Sequence, residues 1–283
     1  MIKSLGWLLF ICISLNSQAQ KSPSGKIFRI SSSHSMFPDS LRNVQPRVYN
    51  GKTYTATEHY SDSSVFIFVP DYFDNTKYID YVFWFHGWIN SIDTALVQFE
   101  LLEQFYAARR NAIFIFPEGP KNAPDSYGGK LEKPGEFYLL WKDVFQMLYT
   151  KKLLKRNTGI PGITLAGHSG AYKVMAKIYF QNAMMDFKNL VLFDALYGEM
   201  EAYFTFSKTH GKLINIYTDN GGTKQNSLDF LKTLDSLHIA YLHKEEDELT
   251  GEDLKANRII FLHSKKGHNE VITNNRNFER FLL

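Results

Sequence analysis

Cysteine is nearly absent: the 283 residues contain one, Cys12. It lies in an apolar opening segment. A chain that loses this segment has no disulfide, no thiolate zinc site and no cysteine nucleophile. Charge of one sign is also lacking. Lys and Arg total 32 against 29 Asp and Glu, a formal net charge of +3. That is too little field to expect a nucleic acid or an anionic membrane surface as partner. Glycine and proline, at 18 and 9, are at ordinary levels, which excludes collagen-like and low-complexity chains. No His/Asp/Glu group has ligand spacing such as H-E-x-x-H, so neither a metal nor another cofactor is expected. The run from Leu5 to Leu15 is eleven residues, short of the roughly 20 that span a bilayer.

Lys3 precedes that run and Ser17-x-Ala19 follows it, the charge, apolar core and small-residue order of an export signal. The sequence therefore predicts a signal peptide over 1–20, cleaved after Ala19 or Gln20, and one domain over 21–283. It also predicts an exported protein, periplasmic or secreted, with no stable membrane partner. A retained N-terminal anchor is the competing reading. With 44% apolar residues, a chain of this length can bury a large core without staples.

Lys21 to Gly25 and Ser31 to Ser35, rich in Ser, read as exposed and loosely structured. A regular alternation follows. Apolar runs at 64–70, 79–85, 112–116, 162–166, 190–193, 212–217 and 258–262 predict strands. Helical spacing at 94–110, 137–152, 171–181, 199–206, 225–237 and 272–283 predicts helices, and 118–135 reads as a long loop. Near-continuous apolar strands are those buried on both faces. Strands alternating with helices build a mostly parallel sheet covered by helices on both faces, hence a single α/β domain. Functional groups in such sheets gather beyond the carboxyl ends of the strands. Lys151 to Arg156 and Glu245 to Glu248 read as solvated surface. The 43 aromatics leave room for a sugar-stacking platform, with most of them expected in the core.

Gly167-His168-Ser169-Gly170-Ala171 lies between a predicted strand and a predicted helix. A serine hydroxyl is a nucleophile only when exposed, served by a base and provided with stabilisation for the oxyanion it generates. A sharp strand-to-helix turn projects the side chain and aims backbone N–H groups and the helix dipole at that charge. His268, in the loop after the last strand, is the preferred base, and His263 competes. The group that orients the base is open between two strand-end carboxylates. Asp219 is followed by Asn-Gly-Gly, turn chemistry in its own right. Asp194 has less such chemistry beside it and is slightly preferred. Gly170 and Trp88 are the candidate oxyanion donors, the latter because Gly87 lets the backbone turn inward after the strand ending at Phe85. His168 reads as packing inside the turn.

In this order, Phe85-His86-Gly87-Trp88, the serine pentapeptide, a strand-end Asp and Gly267-His268 resemble the α/β-hydrolase superfamily over residues 60–283. Phe116-Pro117-Glu118-Gly119 and Trp141-Lys142-Asp143-Val144 are similar to secreted esterases of the polyhydroxybutyrate depolymerase and feruloyl esterase type. Ala171 stands where most members have Gly. Most members also carry the acid after the later strand, which favours Asp219, whereas pancreatic-type lipases carry it after the earlier one, as Asp194 would be. The resemblance implies a cofactor-free serine esterase with Ser169, His268 and Asp194 or Asp219 as catalytic residues. The expected substrate is a small-molecule or polysaccharide-linked ester. The same triad also serves peptidases and amidases, and the same scaffold serves non-catalytic binding proteins. Residues 117–135 are expected to shape the substrate pocket, and no large lid is expected.

Overall fold

The strands follow one another along the chain as β1 (Gly25–Ser31), β2 (Arg47–Tyr49), β3 (Lys52–Tyr54), β4 (Ser64–Pro70), β5 (Asp80–Phe85), β6 (Ala112–Pro117), β7 (Gly162–His168), β8 (Phe187–Phe193), β9 (Lys212–Thr218), β10 (Leu242–Glu245) and β11 (Ile259–Ser264). This is a computed structural model that describes residues 22–155 and 162–282. The predicted export segment and Cys12 lie outside them. Nine strands form one sheet in the order β1-β4-β6-β5-β7-β8-β9-β11-β10, and β2 and β3 form a separate hairpin. β4 pairs antiparallel with β1 and β6; from β6 onward every pairing is parallel. Helices cover both faces, as the sequence predicts.

Side-chain alternation builds two cores from single strands. Tyr81, Phe83 and Phe85 of β5 join Ile163, Leu165, Leu190 and Leu192 on one face. Val82 and Trp84 join Ala166, Val191 and Phe193 on the other. This double burial is why these segments are apolar at every position. The fully buried Trp84 packs edge-on against Phe278, with ring centroids 4.8 Å apart, and so ties the last helix to the sheet centre.

Four expectations are corrected. The Ser-rich segment near the N-terminus is not loose: β1 is an edge strand on β4, and Ser32 and Ser35 are buried. The helix expected over 94–110 is two, Ile92–Gln98 and Leu101–Ala107, broken where Glu100 adopts φ +48°. The final helix is likewise interrupted at Asn275, φ +52°, between Glu270–Thr273 and Asn277–Leu282. The acidic run is not all surface either. Glu246 is buried and accepts hydrogen bonds from Ser264 and from the amides of Asn274, Asn275 and Asn277, which anchor the chain after β11. Among the described residues no helix is long and apolar enough to cross a membrane.

Candidate active site

The candidate residues collect beyond the carboxyl ends of the parallel strands. β7 ends at His168, and Ser169 follows with φ +54°. An L-residue pays roughly 1–2 kcal/mol for this left-handed conformation. The turn is tight because small residues line it. A Cβ on Gly167 would fall 2.6 Å from the Ala171 Cβ, and one on Gly87 would fall 2.6 Å from the Ser169 Cβ. The chain then enters a short 3₁₀ turn and the helix Tyr172–Gln181, leaving Ser169 partly exposed and Gly170 buried.

Asp194 follows β8 directly and is fully buried, also with positive φ (+44°). Its carboxylate receives donors only. His268 Nδ1 and Thr218 Oγ1 each lie 2.7 Å from Oδ2, while the Thr218 N–H (3.3 Å) and the Thr223 hydroxyl donate to Oδ1. Burial alone would raise its pKa. The hydrogen bonds from His268, Thr223 and Thr218 outweigh that and hold it below the ordinary carboxylate value. The β9 loop wraps it closely: a Cβ on Gly221 would lie 1.6 Å from Asp194 Oδ2.

His268, about one-third exposed at its side chain, lies against the serine turn. Its ring is 4.5 Å from that of His168, and its backbone carbonyl is 3.0 Å from His168 Nε2. A carbonyl only accepts, so His168 Nε2 carries the hydrogen. Burial pushes the His168 pKa down to about 3, and the neighbouring His268 pushes the same way. His168 thus packs inside the turn. The other two candidates pair with each other: Asp219 Oδ1 is 3.0 Å from His263 Nε2 and also binds Lys224, and His263 Nδ1 is 2.8 Å from Glu245. The structure therefore sets Asp194, not Asp219, on His268.

A pocket of about 210 Å³ opens over the serine, lined by Trp88, Ser126, Ser169, Gly170, Tyr172 and Tyr197. Ser126 belongs to the long loop after β6, as the sequence leads one to expect. Tyr197, whose place sequence reasoning does not reveal, donates to the Gly221 carbonyl and lies with its ring 6.4 Å from His268. Burial and the Asp194 charge raise its pKa to about 12 against a downward pull from the Ser169 hydroxyl. That hydroxyl makes no hydrogen bond to His268, whose ring is held through Nδ1 on Asp194. The Trp88 backbone N–H has no acceptor among the described residues, and the Gly170 N–H heads a helical turn, where no intrahelical acceptor exists. Both adjoin Ser169. No group of three or more His, Cys, Asp or Glu among the described residues is arranged to hold a metal ion.

Solved structures share the overall fold, a mostly parallel sheet covered by helices. A ferulic acid esterase superposes with TM-score 0.56 at 9% identity, covering 92% of this chain and 98% of its own. The fold is that of the α/β-hydrolases. A feruloyl esterase module from Clostridium thermocellum, an S954A mutant complexed with sinapinate, gives TM-score 0.54 at 13% identity, over 92% of this chain and 87% of that one. A fluorophosphonate-binding serine hydrolase of Staphylococcus aureus gives 0.51 at 11%, over 92% and 97%. No protein-family model matches the sequence, and no curated protein matches it. The likeness is one of fold, carried at identities where sequence alone does not speak.

Proposed function

We propose that this α/β-hydrolase fold is a cofactor-free serine hydrolase of carboxylic esters. Ser169 attacks the acyl carbon while His268 Nε2 takes its proton. Asp194 holds Nδ1–H and offsets the imidazolium charge. The oxyanion is met by the N–H groups of Trp88 and Gly170, donors whose individual loss typically costs ~10²–10³ in rate. His268 then returns the proton to the leaving alkoxide, and water, deprotonated by the same imidazole, releases the acid from the acyl-serine. The observation that carries the reading is the 2.7 Å bond between His268 Nδ1 and the buried Asp194, on the rim where Ser169 stands on its left-handed turn. It leaves Nε2 free to act as base. In the proposed reaction, substrate brings the Ser169 hydroxyl onto His268 Nε2; such contacts commonly tighten only with substrate bound.

The pocket's uncharged aromatic walls suit a neutral, planar acyl group on a small or polysaccharide-linked alcohol, in keeping with the sinapinate held by the clostridial module. We further propose that the protein acts after export, the role that Leu5–Leu15 and Ser17-x-Ala19 would serve. The test is hydrolysis of p-nitrophenyl acetate and methyl sinapate against the matching anilides. Ester turnover that vanishes in Ser169→Ala supports the proposal. Preferential anilide cleavage makes the chain an amidase, and folded protein inert to all of them makes it a binding module.

A further inference from the structure

The peptide joining Gly87 to Trp88 has its N–H free beside Ser169, yet its oxygen is held. His86 Nδ1 lies 2.6 Å from the Gly87 carbonyl, which only accepts, so Nδ1 is the donor. Gly87–Trp88 is a trans peptide, the one cis bond among the described residues being Phe37–Pro38. In a trans peptide the C=O and N–H point in opposite directions within one plane. Fixing the oxygen on His86 therefore fixes the direction of the Trp88 hydrogen.

The ring itself has no freedom. Its side chain and that of Glu118 are each 1% exposed. Nε2 faces Glu118 Oε1 at 3.0 Å and the Gly119 nitrogen at 3.2 Å, and a Cβ on Gly119 would fall 2.7 Å from Nε2. Glu118 is anchored in turn by the Ile92 N–H at 3.2 Å and the Gly119 N–H at 3.2 Å. The ends of β5 and β6 and the start of the helix Ile92–Gln98 thus meet on one buried His–Glu pair. Apolar residues of similar volume would usually be at least as stable there, so stability alone does not account for the pair.

We propose that His86, braced by Glu118, is a positioning residue that orients the 87–88 peptide so that the Trp88 N–H points at the oxyanion formed at Ser169. This role rests on the hydrolase reading above. It acts on the transition state and not on substrate binding, because the oxyanion exists only in the former.

The experiment compares His86→Leu, which removes the donor, with His86→Asn, whose Nδ2 falls near the place of Nδ1. The readouts are kcat and KM on p-nitrophenyl acetate and the inhibition constant of phenylboronic acid, which adds to serine as a tetrahedral anion. The expected result for Leu is a kcat lower by about 10- to 100-fold, short of complete loss of one donor. KM stays within about threefold, and boronate inhibition weakens by a like factor. Asn recovers most of both. Should His86→Leu not fold, His86→Leu with Glu118→Gln strands no buried charge and replaces it under the same criteria. A folded Leu variant with wild-type kcat overturns the role, as does an Asn variant no better than Leu. An active wild type with an unaffected Leu variant fails this role alone, whereas a wild type without ester turnover or boronate binding fails the hydrolase reading and the role with it.

Discussion

Replacing Asp194 by Asn tests whether the carboxylate on His268 sets its tautomer. All the hydrogen bonds it makes are accepted: from His268 Nδ1 and Thr218 Oγ1 on Oδ2, and from the Thr218 N–H and Thr223 hydroxyl on Oδ1. An amide must put an NH₂ on one of these sides. On the Oδ1 side it meets a backbone N–H that cannot reverse. On the Oδ2 side the Thr218 hydroxyl can rotate to accept, and His268 can shift its proton from Nδ1 to Nε2. The second arrangement leaves fewer donors facing donors. His268 then presents N–H, not a lone pair, to Ser169. Loss of the base by wrong tautomer lowers kcat by about 10⁴, equivalent to about 5.4 kcal/mol of barrier. Asp219→Asn alters a carboxylate 44% exposed and bonded to His263 and Lys224, so its kcat should stay within about threefold, as for most surface changes. Initial rates on p-nitrophenyl acetate at pH 7.5, with folding checked by circular dichroism, decide between them. An active Asp194→Asn beside an inactive Asp219→Asn would refute the reasoning.

Gly221→Ala should cut activity at least tenfold and lower the melting temperature, since its Cβ would stand 1.6 Å from Asp194 Oδ2; wild-type rates would mean that the β9 loop moves aside freely. His168, with its pKa near 3, remains neutral in the fold while the unfolded histidine protonates below about 6.5. The unfolded state then binds the extra proton, so the stability from this group is full above that value and falls with pH, by about 2 kcal/mol at pH 5. His168→Gln keeps a donor near Nε2 but does not titrate, so urea unfolding at pH 7 and pH 5 should show a smaller difference in the variant; equal differences would contradict this. N-terminal sequencing of protein recovered outside the cytoplasm should begin at Gln20 or Lys21, and a product beginning at Met1 in a membrane fraction would favour the retained anchor.

Much of this arrangement is legible in the sequence because burial on both faces leaves a direct mark. β4 to β9 and β11 are apolar runs whose ends carry the chemistry, so Ser169, Asp194 and His268 stand out as polar residues where such runs stop. β1 leaves no such mark. Its side chains are largely exposed and include Lys26 and Arg29, and it is held by the backbone ladder to β4. Helix breaks at Glu100 and Asn275 rest on single left-handed residues within otherwise periodic stretches, which periodicity does not register. Choosing between Asp194 and Asp219 needed the third dimension, because both follow apolar strands. Thr218 and Thr223 flank the Asp-Asn-Gly-Gly turn, and that clustering of hydroxyls was the available sign that the turn serves another carboxylate. His86 and Glu118 lie 32 residues apart and meet only because β5 and β6 are neighbours.

The most direct measurement is active-site labelling. Folded wild-type protein treated with a fluorophosphonate should gain the mass of one phosphonyl group, mapped by peptide mass spectrometry to Ser169. Labelling should disappear in Ser169→Ala and slow by orders of magnitude in His268→Ala. A folded wild type that takes no label, or one labelled elsewhere with Ser169→Ala still hydrolysing esters, would contradict the assignment of Ser169 as nucleophile.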